Sequence, residues 1–279
     1  MTRGDRKMTQ PSKEELFFTG IDGVPVENWE KGKEFLVTDD KAAIIFDSQA
    51  FLQPEFPSLK DKIFLFSSVE SRMDVAGDLD MVIVFLNEGV PYYYNTGKTF
   101  DSAMKGVTSA DIPMLIDLQM VEEAKQKLVG QHLWTKSNLW YDENNERIEG
   151  KKFAPVTIED VLPGTMIFPL KLKIQSEKGE IAYMFMNYGN ADNESRAFHN
   201  LFSITDIRDI YPNIEEDTWE YIGAGKIKLG MTKTECKLAL GNPSDINSGH
   251  DYSQTLDIWA FDDGSVLWFE DGKLTKYRR

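Results

Sequence analysis

From Gly32 onward the chain runs through one long pattern twice, and a chain built this way is constrained to two related units in sequence. Gly32-Lys-Glu-Phe35-Leu36-Val37-Thr38, continuing to Ile44-Ile45-Phe46-Asp47, is answered by Gly130-Gln-His-Leu133-Trp134-Thr135, continuing to Leu139-Trp140-Tyr141-Asp142. The glycines are 98 residues apart. Residues 81–87 (MVIVFLN) are answered by 181–187 (IAYMFMN) at an offset of 100. Phe100-Asp-Ser matches Phe198-His-Asn, and Asp111-Ile112 matches Asp206-Ile207. The division that follows is a tail at 1–31, β-rich copies at 32–129 and 130–212, and a terminal module at 213–279.

Within each copy the signals are those of strands. Phe168, Leu170, Leu172 and Ile174 alternate with Pro169, Lys171 and Lys173, the period of a half-buried strand. Residues 63–66, 81–86 and 181–186 are short apolar runs, whose length favours strands covered on both faces. Residues 142–146 and Pro163-Gly164 are turn material. Short strands closed by one helix predict a small antiparallel barrel or a strongly bent sheet. The first closing helix is expected from about Ile112-Pro113 to Leu128. Its counterpart is expected to start near Asn213, with Glu216 completing the cap, and to stop at Gly223.

The terminal module carries the clearest local code. Thr232 and Glu235 have the spacing of a capping box, and Met231 with Cys236 that of a hydrophobic staple. Cys236, Ala239 and Leu240 give the helix an apolar face, Gly241 suits its end and Pro243 blocks continuation. A three-strand meander is then predicted, with turns at Asp262-Asp263-Gly264 and Glu270-Asp271-Gly272. Residues 248–253 read as a polar loop before it.

Charge and cysteine usage exclude several classes. With 31 Lys and Arg against 46 Asp and Glu, the net charge is −15. A chain this acidic lacks the cationic face that nucleic acid or anionic lipid requires. The single cysteine, Cys236, excludes an intramolecular disulfide and any multi-cysteine metal site. His132, His199 and His250 stand in no zinc-ligand spacing, so no metal and no cofactor is expected. Ser248-Gly249-His250-Asp251 holds triad residue types, but triad members meet through the fold and not by adjacency. No run reaches the length of a membrane span, and no signal peptide is read at the start as written.

The string Gly225-Lys226-Ile227, Leu229-Gly230-Met231-Thr232, Glu235, Leu240-Gly241-Asn242-Pro243, then Trp259 and Phe269-Glu-Asp-Gly272-Lys273-Leu274, resembles the SmpA/OmlA (BamE-like) module. It is similar also to β-lactamase-inhibitor-protein-like (BLIP-like) domains. Cys236 stands where valine is common in that pattern, and the lipobox cysteine of the family's envelope lipoproteins is not seen near the start. The two upstream copies resemble Src-homology-3-type (SH3-like) barrels of bacterial cell-surface proteins. The arrangement as a whole is similar to multi-domain proteins of gut Bacteroidetes. The resemblance implies an α+β, β-rich fold and an adaptor at the cell envelope that does no chemistry. Its partner would be a protein or a cell-wall peptide, and the alternative is an inhibitor of a secreted enzyme acting through the terminal module.

Aromatic residues are the candidate contact positions. Tyr92, Tyr93 and Tyr94 form an uninterrupted polar-tipped run, and Trp134, Trp140 and Tyr141 are the others. Tyrosine and tryptophan supply binding area at low entropic cost.

Overall fold

The computed structural model describes residues 12–19, 21–52, 58–73, 77, 79–188, 196–251 and 254–278. They form a mixed α+β, β-rich fold with three sheets, one of which curls partly into a half-barrel. The chain divides into two compact units. One comprises residues up to Gln131 with 157–174 and 183–201, and the other 132–156, 175–182 and 202–279.

Helix α1 (Lys13–Phe17) opens on a capping box between Ser12 and Glu15. Beyond it Val26 and Trp29 are buried in the first core, so part of the stretch expected as a tail is packed. Six strands follow: β1 (Glu34–Val37), β2 (Phe46–Asp47), β3 (Ile63–Met73), β4 (Leu79–Asn87), β5 (Val90–Thr99) and, after α2 (Phe100–Gly106), β6 (Leu115–Asp117). Their order in the sheet is β2-β5-β4-β3-β1-β6. Phe35, Phe46, Phe64, Phe66, Phe85 and Tyr92 point to one face and build an aromatic core with Trp29. On β4, residues 81–85 are buried on both faces, as the unbroken apolar run predicts.

The closing helix is shorter than expected. Leu115, Ile116 and Asp117 pair with Val37, Leu36 and Phe35 as a strand, and α3 (Leu118–Leu128) starts only after Asp117 caps it. The spacing of Leu115, Leu118 and Val121 imitates a helical stripe, but strand pairing takes the first of them.

The second sheet takes β7 (His132–Thr135), β8 (Leu139–Tyr141), β9 (Arg147–Glu149), β10 (Pro155–Pro163), β11 (Leu170–Ser176), β12 (Ile181–Met186) and, after α4 (Phe198–Leu201), β13 (Phe202–Ser203). Its order is β13-β7-β10-β11-β12-β8-β9. Read from the other edge, the first sheet is β6-β1-β3-β4-β5-β2, so six strands correspond one for one in chain order. Backbone details correspond too. Gly32 N–H donates to the Phe66 carbonyl and Phe66 N–H to the Lys33 carbonyl, both at 2.8 Å. Gly130 N–H donates to the Ile158 carbonyl at 2.8 Å and Ile158 N–H to the Gln131 carbonyl at 3.1 Å. Gly32 and Gly130 share positive φ (92° and 81°), as do Asp61 and Phe153 (63° and 57°). One sequence match is in the wrong register. Residues 81–87 lie on β4, whose counterpart in sheet order is β11, whereas 181–187 cover β12. Two apolar runs that each end in Asn are alike in composition without being alike in position.

The end of the chain holds α5 (Glu216–Gly223), α6 (Lys233–Leu240) and an antiparallel sheet in the order β14-β15-β16-β17: β14 (Asp245–Asp251), β15 (Gln254–Ala260), β16 (Val266–Glu270) and β17 (Lys273–Arg278). The capping box on α6 is present, Thr232 Oγ1 accepting from Glu235 N–H at 3.2 Å and Glu235 Oε2 from Thr232 N–H at 2.6 Å. Helix α5 starts later than Asn213, and its N-cap, Glu215, makes no side-chain cap bond. Of the stretch 248–253 expected as loop, residues 248–251 belong to a fourth strand, β14, paired along β15 through backbone groups, and 252–253 lie outside the described residues. The side chain of His250 lies outside what is described. Trp219, Ile222, Cys236 and Ala239 of the helices pack against Trp259, Leu267, Phe269 and Leu274 of the sheet. Phe153 joins them edge-on to Trp219, with ring centroids 6.0 Å apart.

Candidate functional site

Strand alternation divides the tyrosine run. Tyr92 points inward, 3% exposed, its ring 4.6 Å from that of Phe64. Tyr94 also turns inward, toward Phe46. Burial, reinforced by Glu88 for Tyr92 and by Asp111 for Tyr94, pushes both phenols above their usual pKa. Tyr93 takes the other face, with the Arg72 guanidinium 4.1 Å from its ring centroid and Asp47 and Glu70 holding Arg72. Trp134 is half-buried on β7. Trp140 is 7% exposed and donates through Nε1 to the Ser137 carbonyl at 3.2 Å, while Tyr141, next along β8, is half-buried. Tyr92 and Trp140 are therefore core residues in this fold, Tyr94 packs against the first core, and Tyr93, Trp134 and Tyr141 offer partial surface on three different strands.

A broader apolar surface lies on the terminal sheet, apart from the six aromatic candidates. Trp259, Leu267 and Phe269 face the helices, so the period of two sends Leu256, Ile258, Val266 and Trp268 to the opposite face. The register sets Ile258 beside Trp268, and Trp268 beside Lys276, whose ammonium sits 5.0 Å from the indole centroid. Gly249 stands opposite Leu256 and adds no side chain to cover it. Ile258 is 38% exposed and the other three are half-buried. The outward face of such a sheet is ordinarily polar. Leu256 and Ile258 on β15, and Val266 and Trp268 on β16, are apolar at these outward positions.

The sheet is fixed to α6 from behind. Asp257 is 5% exposed, and it pairs with Lys233 at the start of α6 and accepts from the Ser248 hydroxyl on β14. This ties β14, β15 and the helix into one block.

Among the described residues no three His, Cys, Asp or Glu side chains gather as metal ligands, and no helix is long and apolar enough to cross a membrane. Cys236 is fully buried on α6; burial first, and Glu235 second, push its thiol up to about 12. Only thiolate reacts, and its fraction at neutral pH falls about a thousandfold, so even with the greater nucleophilicity of a more basic thiolate and before access is counted, native Cys236 is expected to be modified by a disulfide reagent at least about thirtyfold more slowly than in the unfolded chain. A labelling time course with and without denaturant measures this, and equal rates would contradict it.

Compared with protein-family models, curated proteins and solved structures, the chain matches none of them.

Proposed function

We propose that this chain is a non-enzymatic binding or scaffolding protein of the cell envelope, built from two diverged SH3-like copies and a BamE-like terminal module. The correspondence of strand order between the two larger sheets supports reading them as siblings. Capped helix, Gly241-Asn242-Pro243 and meander support reading the end as a BamE-like unit.

The observation that carries the functional reading is the outward face of the terminal sheet. Four apolar side chains, one of them Trp268, stand on a block braced by Asp257, with Lys276 at their border. A tryptophan beside isoleucine and valine, bordered by Lys276 and Glu270, is the composition of a protein contact, where a few aromatic anchors dominate affinity. The occupant is a protein surface with its own apolar centre, and the alternative of a secreted enzyme held in an inhibitory complex would use the same face.

The test is binding of full-length protein to envelope extract and, separately, to purified peptidoglycan. Ile258→Asp is expected to leave the circular dichroism spectrum unchanged and to abolish retention of a specific protein partner, because a carboxylate buried in an apolar contact costs several kcal/mol. Retention unchanged by the substitution would refute the assignment of this face, and retention on peptidoglycan alone would refute a protein occupant.

A further inference from the structure

The first unit contains a cavity of about 460 Å³. Ile21, Ile112, Met114, Leu115 and Pro169 supply apolar walls, and Tyr188 and Asn187 polar ones. Such a volume, mostly apolar with a few polar groups, is that of a ligand site and not of a packing defect. Two features show that it is built. Residues 164–169 form a tight loop in which Gly164 N–H donates to the Pro169 carbonyl and Thr165 N–H to the Phe168 carbonyl, both at 2.8 Å. A Cβ on Gly164 would lie 2.1 Å from the Phe168 oxygen, so only glycine closes it. The loop holds Met166 and Ile167 at the cavity, 52% and 61% exposed. Loop tips are ordinarily polar, and two large apolar side chains held in water on a braced loop mark a contact. On the opposite wall Met114 adopts a left-handed φ of 62°, its carbonyl accepting from Thr38 N–H at 2.9 Å and Thr38 Oγ1 at 3.1 Å. Strain of this kind on a bulky residue concentrates at binding sites.

Charge at the rim states the chemistry of the occupant. Asp22 is exposed, and Asp111 commits Oδ2 to Thr108 N–H and Oγ1–H at 2.7 and 2.8 Å, leaving Oδ1. Among the described residues no lysine, arginine or histidine lines the cavity. Thioether walls adapt to side chains of differing shape.

We propose that this cavity receives a large apolar side chain from a peptide segment of a partner protein, with a basic residue beside it against Asp22 and Asp111. The larger cavity of the same unit, about 690 Å³ near Trp29 and Lys33, is lined by charges of both signs and selects no such ligand.

The probes are two fluorescently labelled tetrapeptide amides, Arg-Phe-Leu-Arg and Glu-Phe-Leu-Glu, titrated with full-length protein at low salt. Wild type is expected to prefer the basic peptide by about tenfold or more. Asp22→Lys is expected to remove that preference, and Ile167→Asp to weaken both peptides; each position is exposed, so neither substitution threatens the fold. Equal affinity for the two peptides, binding unaffected by Ile167→Asp, or no binding of the basic peptide would each overturn the proposal. Binding of an amphipathic amine, dodecylamine, followed directly by calorimetry, with no binding of either peptide, would also overturn it, in favour of a small-molecule site. Ile258→Asp, which tests the terminal sheet, is expected to leave peptide binding unchanged, so the two readings fail separately.

Discussion

Asp117→Ala is expected to lower the stability of the first unit by about 3–5 kcal/mol. Lys33 Nζ lies 2.8 Å from Asp117 Oδ2, and the two side chains retain only 6% and 0% of their exposure. Lys33 Nζ also donates to Gln119 Oε1 at 2.8 Å. Neither charge has water to fall back on. Removing the carboxylate strands an ammonium that a neutral amide oxygen cannot balance. The same carboxylate accepts from Gln119 N–H at 3.0 Å and caps α3, so about 1 kcal/mol of helix stability goes with it. In a chain this size the loss corresponds to a fall of about 6–20 °C in the melting temperature. A thermal scan followed by circular dichroism measures it. Lys33→Met combined with Asp117→Asn is expected to recover a large part of the loss, since replacing both members of a buried pair removes the stranded charge. A drop below about 1.5 kcal/mol for the alanine variant would show that water reaches the pair.

Phe85→Ala is expected to cost a similar amount, about 3–5 kcal/mol, for a different reason. Phe85 is fully buried at the centre of the aromatic core. Its ring stands edge-on to Phe35 and Phe46, with centroids 5.3 and 5.9 Å away, and Phe64 and Trp29 lie at 6.3 and 6.4 Å. Alanine leaves a void bounded by four rigid rings on different elements, and such walls relax little, so the cavity persists. Phe85→Leu keeps most of the volume and is expected to cost less than half as much. Urea unfolding of the three proteins side by side gives the comparison. Equal destabilisation by leucine and alanine would mean that edge-to-face geometry, and not volume, governs this core.

Local chemistry accounts for what could be read from the chain and what could not. The box at Thr232 and Glu235 was legible because both bonds span three residues and need no tertiary partner. The alternation along 170–174 was legible because one face of β11 is buried and the other is half-exposed. Strand β14 was not, since Asp-Ile-Asn-Ser-Gly-His-Asp carries no apolar alternation and pairs through backbone bonds to β15. Strand β6 was hidden by a helical spacing that begins in the wrong element. The tyrosine run at 92–94 promised a surface, yet alternate residues of a strand cannot all face one way, and Tyr92 went to the core. Trp268 was overlooked for the converse reason: a tryptophan in an apolar strand reads as core until the register sets its direction.

Cross-linking from the outward face of the terminal sheet tests the account most directly. A photoreactive amino acid at position 258 of the full-length protein, irradiated in envelope extract, is expected to yield a discrete covalent protein adduct. Excess unlabelled wild type should compete it away, and the same group at the exposed turn residue Lys178 should give none. Adducts of equal yield from both positions, or none from 258, would contradict the assignment of this surface as the protein's working face.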